Sequence, residues 1–234
     1  MVVRGIAGER AEYRPIQSAL VEGAAPVDVA TAFRDTFGLS DVYLADLDAI
    51  AGAEPAWPLY AALLELGLRL WVDAGIGEPD RAAALASLQT SGRQLARIVA
   101  GLESLASTSQ LADFVRLVGP DRFVFSLDLK AGQPLTEIAA WRDLPADAIA
   151  AAAVDVGTRS MIVLDLADVG SLRGGNTTAL CRRLRAAHPR LEIVSGGGVR
   201  HLEDVRSFLA AGCDAVLVAS ALHDGRIAPA ELAG

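Results

Sequence analysis

At 234 residues, with 52% hydrophobic content and a formal net charge of −8, the chain is long enough to bury one large core and close to the roughly 250 residues of a single (β/α)8 barrel. The charge disfavours nucleic-acid binding, which draws on clustered Lys and Arg, and no apolar run approaches the ~20 residues of a membrane span. MVVRGIAGER lacks the apolar core of an export signal, so a cytoplasmic protein is expected, and the two cysteines, Cys181 and Cys213, have neither the number nor the spacing of a disulfide framework or a zinc site.

In chain order, the fragment VVRG precedes a helical pattern, PVDVATAFRDTF from Pro26. Seven short apolar runs then alternate with helical patterns: VYLAD (42–46), LRLWVD (68–73), ARIVAG (96–101), FVFSLD (123–128), SMIVLD (160–165), EIVSG (192–196) and AVLVAS (215–220). PDRAAALASL from Pro79 and HLEDVRSFLAAG from His201 are among the helices between them; several open on Pro or a carboxylate and close at Gly, as helix ends prefer. The runs are nearly continuous in Val, Ile, Leu and Ala, as expected of parallel strands buried on both faces, a property that an open doubly wound sheet would share. An internal repeat favours the barrel. DAGIGEPDRAAAL leading to RIVAGLESL, from Asp73, parallels GGGVRHLEDVRSFL leading to VLVASAL, from Gly196, about 120 residues later. One domain over 1–234 is therefore expected, with half-barrels of about 1–120 and 121–234. Only VVRG stands before the first helix, so the first of eight strands is expected to be missing or very short and the chain truncated at its front.

Barrel active sites lie at the carboxyl ends of the strands, which directs attention to the residue closing each run. Asp46, Asp128 and Asp165 stand there, each able either to point into the mouth or to cap the following helix. SGGGV, with Ser195, Gly196, Gly197 and Gly198 between a strand and a helix, lets backbone N–H groups approach an anion, and Ser220 on the next loop is a natural partner. The alternative is a tight turn without a ligand. His188 and His201 read as solvated, His223 as a neighbour of the phosphate loop, and the three histidines form no metal constellation. No cofactor or metal is expected.

These motifs together resemble the HisA/HisF family of phosphate-binding barrels, and HisA more closely. The likeness spans nearly the whole chain and is carried by VYLADLDAIAG, VFSLDLKAG, SGGGVRHLEDVRSFLAAGCDAVLVASAL and the closing HDGRI. It implies an Amadori-type aldose to ketose isomerase with two carboxylates, one on the first strand and one on the fifth. The fifth-strand acid corresponds to Asp128, implied to move protons during ring opening and enolisation. The first-strand acid would precede Met1, leaving Asp46 as a candidate second acid. Trp141 stands where a substrate-covering tryptophan is implied, with core packing an equal reading, and Asp165 keeps half of a Thr-Asp signature whose Thr is replaced by Leu164.

Two departures bear on the substrate. Asp73 stands where the family has glycine and Gly77 where it usually has arginine, and a carboxylate about 5 Å from a phosphate costs roughly 3 kcal/mol at an effective dielectric near 20. A small phosphorylated metabolite with one phosphate is therefore expected, held at the second-half loop, with Asp73 and Asp165 toward its far end. Three functions compete: isomerase-type chemistry on such a monophosphate, with one-carbon or pterin cofactor synthesis as a suggested setting; a genuine HisA isomerase of histidine biosynthesis; and a non-catalytic phosphometabolite-binding protein. The expected state is a monomer or a weak homo-oligomer, since an open barrel edge would invite pairing.

Overall fold

The computed structural model describes residues 1–170 and 177–232. A two-residue ribbon, β1 (Val3–Arg4) with β2 (Arg14–Pro15), comes first, followed by α1 (Pro26–Phe37), β3 (Asp41–Ala45), α2 (Leu47–Ile50), α3 (Trp57–Glu65), β4 (Arg69–Asp73) and α4 (Pro79–Ser87). A hairpin of β5 (Gln89–Thr90) and β6 (Arg93–Gln94) leads to β7 (Arg97–Gly101), α5 (Thr108–Val118), β8 (Phe123–Lys130) and β9 (Gln133–Pro134). The rest is α6 (Ala146–Asp155), β10 (Ser160–Asp165), α7 (Thr178–Ala187), β11 (Glu192–Gly196), α8 (Leu202–Ala210), β12 (Ala215–Leu217) and two single-turn helices, α9 (Ser220–His223) and α10 (Pro229–Leu232). No helix is long and apolar enough to cross a membrane among the described residues.

The main sheet runs β3-β4-β7-β8-β10-β11-β12, every neighbouring pair parallel, which is the sequential winding of a (β/α)8 barrel. All seven expected runs are strands of this sheet. Among the described residues no eighth parallel strand joins β12 to β3. VVRG instead pairs antiparallel at Val3–Arg4 with Arg14–Pro15, outside the sheet, because Ala7 (φ 47°) and Gly8 (φ 76°) turn the chain back soon after it.

Alternation along the strands sorts side chains into two separate cores. Trp71, Val99, Val124, Ile162 and Val194 form the barrel interior, with Tyr43, Leu164 and Leu217 against them. Residues one step out of phase, such as Leu70, Ile98, Phe123, Phe125, Met161 and Ile193, join the outer layer under the helices. At the amino end of the strands the interior is closed by polar contacts: Trp71 Nε1 donates to Asp41 at 3.1 Å, the Arg97 guanidinium lies 5.3 Å over the Trp71 ring, and Arg97 donates to Glu192 at 3.0 Å.

The opposite, carboxyl end is crossed by the N-terminal segment. The Ala7 N–H donates to the Val169 carbonyl at 2.8 Å, Lys130 donates to Glu9 at 2.7 Å, Arg10 pairs with Glu103 and Arg4 with Asp224. Those partners follow or end four different strands, so residues 4–10 form a strap over the barrel mouth.

The basal contacts give a direct expectation. Arg97→Met should remove the cation from the Trp71 face and leave Glu192 without this partner, lowering stability in urea unfolding by about 1–2 kcal/mol with the far-UV spectrum unchanged. An unchanged midpoint would show that the barrel floor contributes nothing.

Candidate active site

The phase of each strand decides which terminal acid faces the mouth. Asp128 is in step with Val124 and Ser126, and Asp73 with Trp71, so both carboxylates lie on the interior side, each only 8% exposed. Asp165 is in step with Met161 and Val163 of the outer layer, and Asp46 is one step out of phase with Tyr43. These last two therefore turn into loops.

Asp46 accepts from Ala49 N–H at 3.2 Å, Ala56 N–H at 2.9 Å and the Tyr60 hydroxyl at 2.5 Å, so both of its oxygens are engaged. Burial pushes its pKa up, but these hydrogen bonds outweigh burial and hold the carboxyl below its ordinary range. Asp165 accepts from the N–H groups of Ala131 (3.0 Å), Gly132 (2.7 Å) and Ala167 (3.0 Å), pinning the turn between β8 and β9. Trp141 is buried against Phe125, with ring centroids 6.4 Å apart, on the outer side of β8 and away from the mouth. His223 is turned toward Phe33 (4.8 Å between centroids) and Ser18 (3.0 Å), and burial lowers its pKa. Cys181 and Cys213 are buried and unbridged.

What gathers at the mouth is a set of three carboxylates around Gly101. A side chain on that glycine would begin 3.1 Å from Asp128 Oδ2, 3.6 Å from Asp73 Oδ2 and 3.8 Å from Glu103 Cγ. Burial is the main reason that the Asp128 carboxyl is pushed up to about 8, with Asp73 and Glu103 adding to it against a 2.7 Å hydrogen bond from Ser126 and a 3.2 Å one from Leu102 N–H. Burial likewise pushes Asp73 up to about 6, raised further by Glu103 and eased by Gly75 N–H and by Arg10 of the strap. Tyr43, on the neighbouring strand, is driven well above its ordinary value by burial and then by the same three carboxylates. Asp128 is thus a carboxylic acid at neutral pH, placed where a proton can be given or taken.

Glu103, Tyr43 and Arg10 were not among the residues picked out from sequence. Tyr43 carried a readable signal, since it is two residues before Ala45 in a strand of period two. Glu103 follows a strand end by two residues, and Arg10 comes from a segment without helix or strand pattern.

The two glycine turns differ. In the first half, Gly75 N–H is taken by Asp73 at 3.0 Å and Gly77 N–H by the Gly75 carbonyl at 2.8 Å. Arg81 knots the same turn to the loop after β3 through the carbonyls of Ala49 (2.8 Å), Ala74 (3.1 Å) and Ala53 (2.9 Å). In the second half, Gly197 (φ 90°) and Gly198 (φ 65°) hold consecutive left-handed conformations between β11 and α8. Ser195 contributes only its backbone there, because its hydroxyl donates to the Val163 carbonyl at 2.7 Å and meets Thr177 at 2.9 Å. The first turn of α8 is closed by its own Asp204, which accepts from Arg200 N–H at 2.8 Å and His201 N–H at 3.2 Å. Of the groups expected from sequence to meet a phosphate, this leaves the glycine backbone and the neighbouring start of α9 at Ser220, adjacent because Gly196 pairs with Leu217. No three His, Cys, Asp or Glu side chains are arranged to hold a metal ion among the described residues.

Asp128→Asn should stabilise the protein as pH rises. The unfolded acid loses its proton near the ordinary 3.8 and the folded one near 8, so between these values the folded state binds more protons and stability falls with rising pH. Asn removes that slope, and thermal melts should show the variant gaining about 2–4 kcal/mol over the parent by pH 8. A constant difference from pH 4 to 8 would mean that Asp128 titrates normally. Gly197→Asp, which places a carboxylate in the glycine turn, should abolish binding of inorganic phosphate in calorimetry; unchanged affinity would remove the turn from the anion site.

Comparison with known proteins agrees with this architecture. The family model described as "Histidine biosynthesis protein" matches residues 1–228. Among curated relatives, a phosphoribosyl imidazole-4-carboxamide isomerase of Deinococcus radiodurans is 32% identical over 194 residues, covering 82% of this chain and 79% of its own. The isomerase of that name from Maricaulis maris is 29% identical, covering 89% of this chain and 85% of its own. An uncharacterized protein of Methanocaldococcus jannaschii is 28% identical, covering 96% and 89%. With a parallel barrel, a strand-end acid and a match over nearly its full length, the chain belongs to the histidine biosynthesis protein family of HisA/HisF barrels.

Proposed function

We propose that the protein is an acid/base isomerase of the aldose to ketose type acting on a small metabolite with one phosphate. The observation that carries this reading is Asp128, a carboxyl group held as the acid at neutral pH by burial at the barrel mouth. Its family relatives at 29–32% identity are named isomerases, which supports the reaction type. The phosphate belongs at Gly197 and Gly198 with the start of α9 at Ser220, and the reacting carbons at the other side of the mouth, near Gly101.

The substrate named for those relatives carries two 5-phosphoribosyl groups. Here the N–H groups of Gly75 and Gly77 are taken within the first-half turn, and Asp73 presents a carboxylate where a second phosphate would come. That favours a monophosphate and accounts for Asp73 better than a bisphosphate does. The relatives' names favour one second reading, the same imidazole-carboxamide isomerisation as theirs. Nothing in the geometry or in those names points to one-carbon or pterin cofactor synthesis.

The test uses D-ribose 5-phosphate and its glycosylamine in D2O, with NMR following exchange of the C2 hydrogen. The parent protein should catalyse exchange, inorganic phosphate should inhibit it, and Asp128→Asn should abolish it. Absence of exchange with both compounds overturns the isomerase reading. In parallel, Asp73→Gly with Gly77→Arg should raise affinity for ribulose 1,5-bisphosphate by about two powers of ten. If the unmodified protein already binds the bisphosphate more tightly than the monophosphate, the one-phosphate assignment falls and the relatives' reaction takes its place.

A further inference from the structure

Gly101 ends β7 with φ −70° and ψ 140°, a conformation that any residue adopts. Its backbone does not require glycine. The missing side chain instead leaves a gap, bounded at 3.1 Å by Asp128 Oδ2 and at 3.6 Å by Asp73 Oδ2. Fixed donors orient both acids: Asp128 Oδ1 accepts from the Ser126 hydroxyl at 2.7 Å and its Oδ2 from Leu102 N–H at 3.2 Å, and Asp73 Oδ1 accepts from Gly75 N–H at 3.0 Å. Two oriented oxygens therefore converge on one small space in the barrel mouth. Asp46, by contrast, is in step with Val42 and Leu44 of the outer layer and is held among loop donors and Tyr60, away from this gap.

Building on the isomerase reading, we propose that Asp73 is the second proton carrier of this site, working with Asp128 on a substrate carbon seated in the gap at Gly101. The same residue that turns away a second phosphate thereby supplies the base. In the cycle, Asp128 gives its proton to the ring oxygen of a phosphorylated glycosylamine as the C1–O bond breaks and the nitrogen lone pair forms the iminium. Asp73 takes the C2 proton; the C–H electron pair becomes the C1–C2 double bond and the iminium pair returns to nitrogen, giving an enaminol. Asp73 then delivers its proton to C1 while the enol hydroxyl returns its proton to Asp128, leaving an aminoketose and both acids in their starting states. No oxidant, metal or cofactor enters the balance.

The surroundings set the protonation states this cycle needs. Asp73 faces Glu103, Arg10 and Asp46; Asp128 faces Asp73, Glu103 and Ser126, with Tyr43 alongside both. With Asp73 at about 6 and Asp128 at about 8, the base is ionised and the acid protonated between those values, so activity should rise through the first and fall through the second.

Two measurements test the pair. The first needs no turnover: 13C NMR of aspartate carboxyls should show Asp128 titrating about one pH unit lower in Asp73→Asn than in the parent, because removing a neighbouring charge eases its ionisation. An unmoved Asp128 midpoint overturns the pairing whatever the enzyme does. The second measures C2 exchange with the glycosylamine of ribose 5-phosphate. Asp73→Asn and Gly101→Ala should each slow it by about a hundredfold or more while binding inorganic phosphate as the parent does, and Asp73→Asn should lose the acidic limb of the pH profile. Full exchange in Asp73→Asn, beside its loss in Asp128→Asn, overturns the role of Asp73 and leaves the isomerase reading standing. A parent without exchange sinks the isomerase reading and this role of Asp73 with it, while the carboxyl titration still decides whether the two acids are coupled.

Discussion

Everything in this molecule follows from the two-residue period of parallel strands buried on both faces. Because successive side chains leave a strand on opposite sides, a shift of one position moves a residue from the barrel interior to the layer beneath the helices. Four aspartates stand at or near the carboxyl ends of strands, and this period alone separates them. Asp73 and Asp128 enter the interior, where burial raises their pKa values, while Asp46 and Asp165 turn outward and become ligands of loop N–H groups. The same residue type is thus a buried acid of raised pKa in one phase and a ligand of loop N–H groups in the other.

Burial acts on the interior pair in a graded way. Burial dominates for both, and each accepts from a backbone N–H and faces two other carboxylates; Asp128 has the Ser126 hydroxyl besides, and Asp73 the charge of Arg10. The result is two chemically identical groups held at different acidities beside a common gap. Neither a histidine nor a metal is needed to place an acid and a base side by side near neutral pH. The second-half turn differs in kind, since its consecutive left-handed glycines offer backbone rather than side-chain polarity.

Much of this was legible in the chain. The seven apolar runs, their parallel order, the glycine turns and Asp128 could be read from apolar pattern and motif, because each depends on local sequence. What could not be read was commitment of donors and acceptors over long sequence distances. The partner of Asp46 is Tyr60, Trp141 stacks on Phe125, and His223 meets Ser18 across more than two hundred residues. Strand phase was legible in principle: Asp73 sits two residues after Trp71 and Asp165 two after Val163, and only the knowledge of which phase faces inward separates them. The first strand was expected to be missing or very short, with only VVRG before the first helix, and VVRG pairs antiparallel with Arg14–Pro15 and leads into the strap.

The polar floor made by Asp41, Trp71, Arg97 and Glu192 bears on more than packing. With that end shut by side chains, the barrel is a cup and not a tube. Solutes, water and exchanged protons share one rim, and residues 4–10 lie across it. Protons that Asp73 and Asp128 exchange with solvent therefore come and go beside the strap and its partners Lys130 and Glu103.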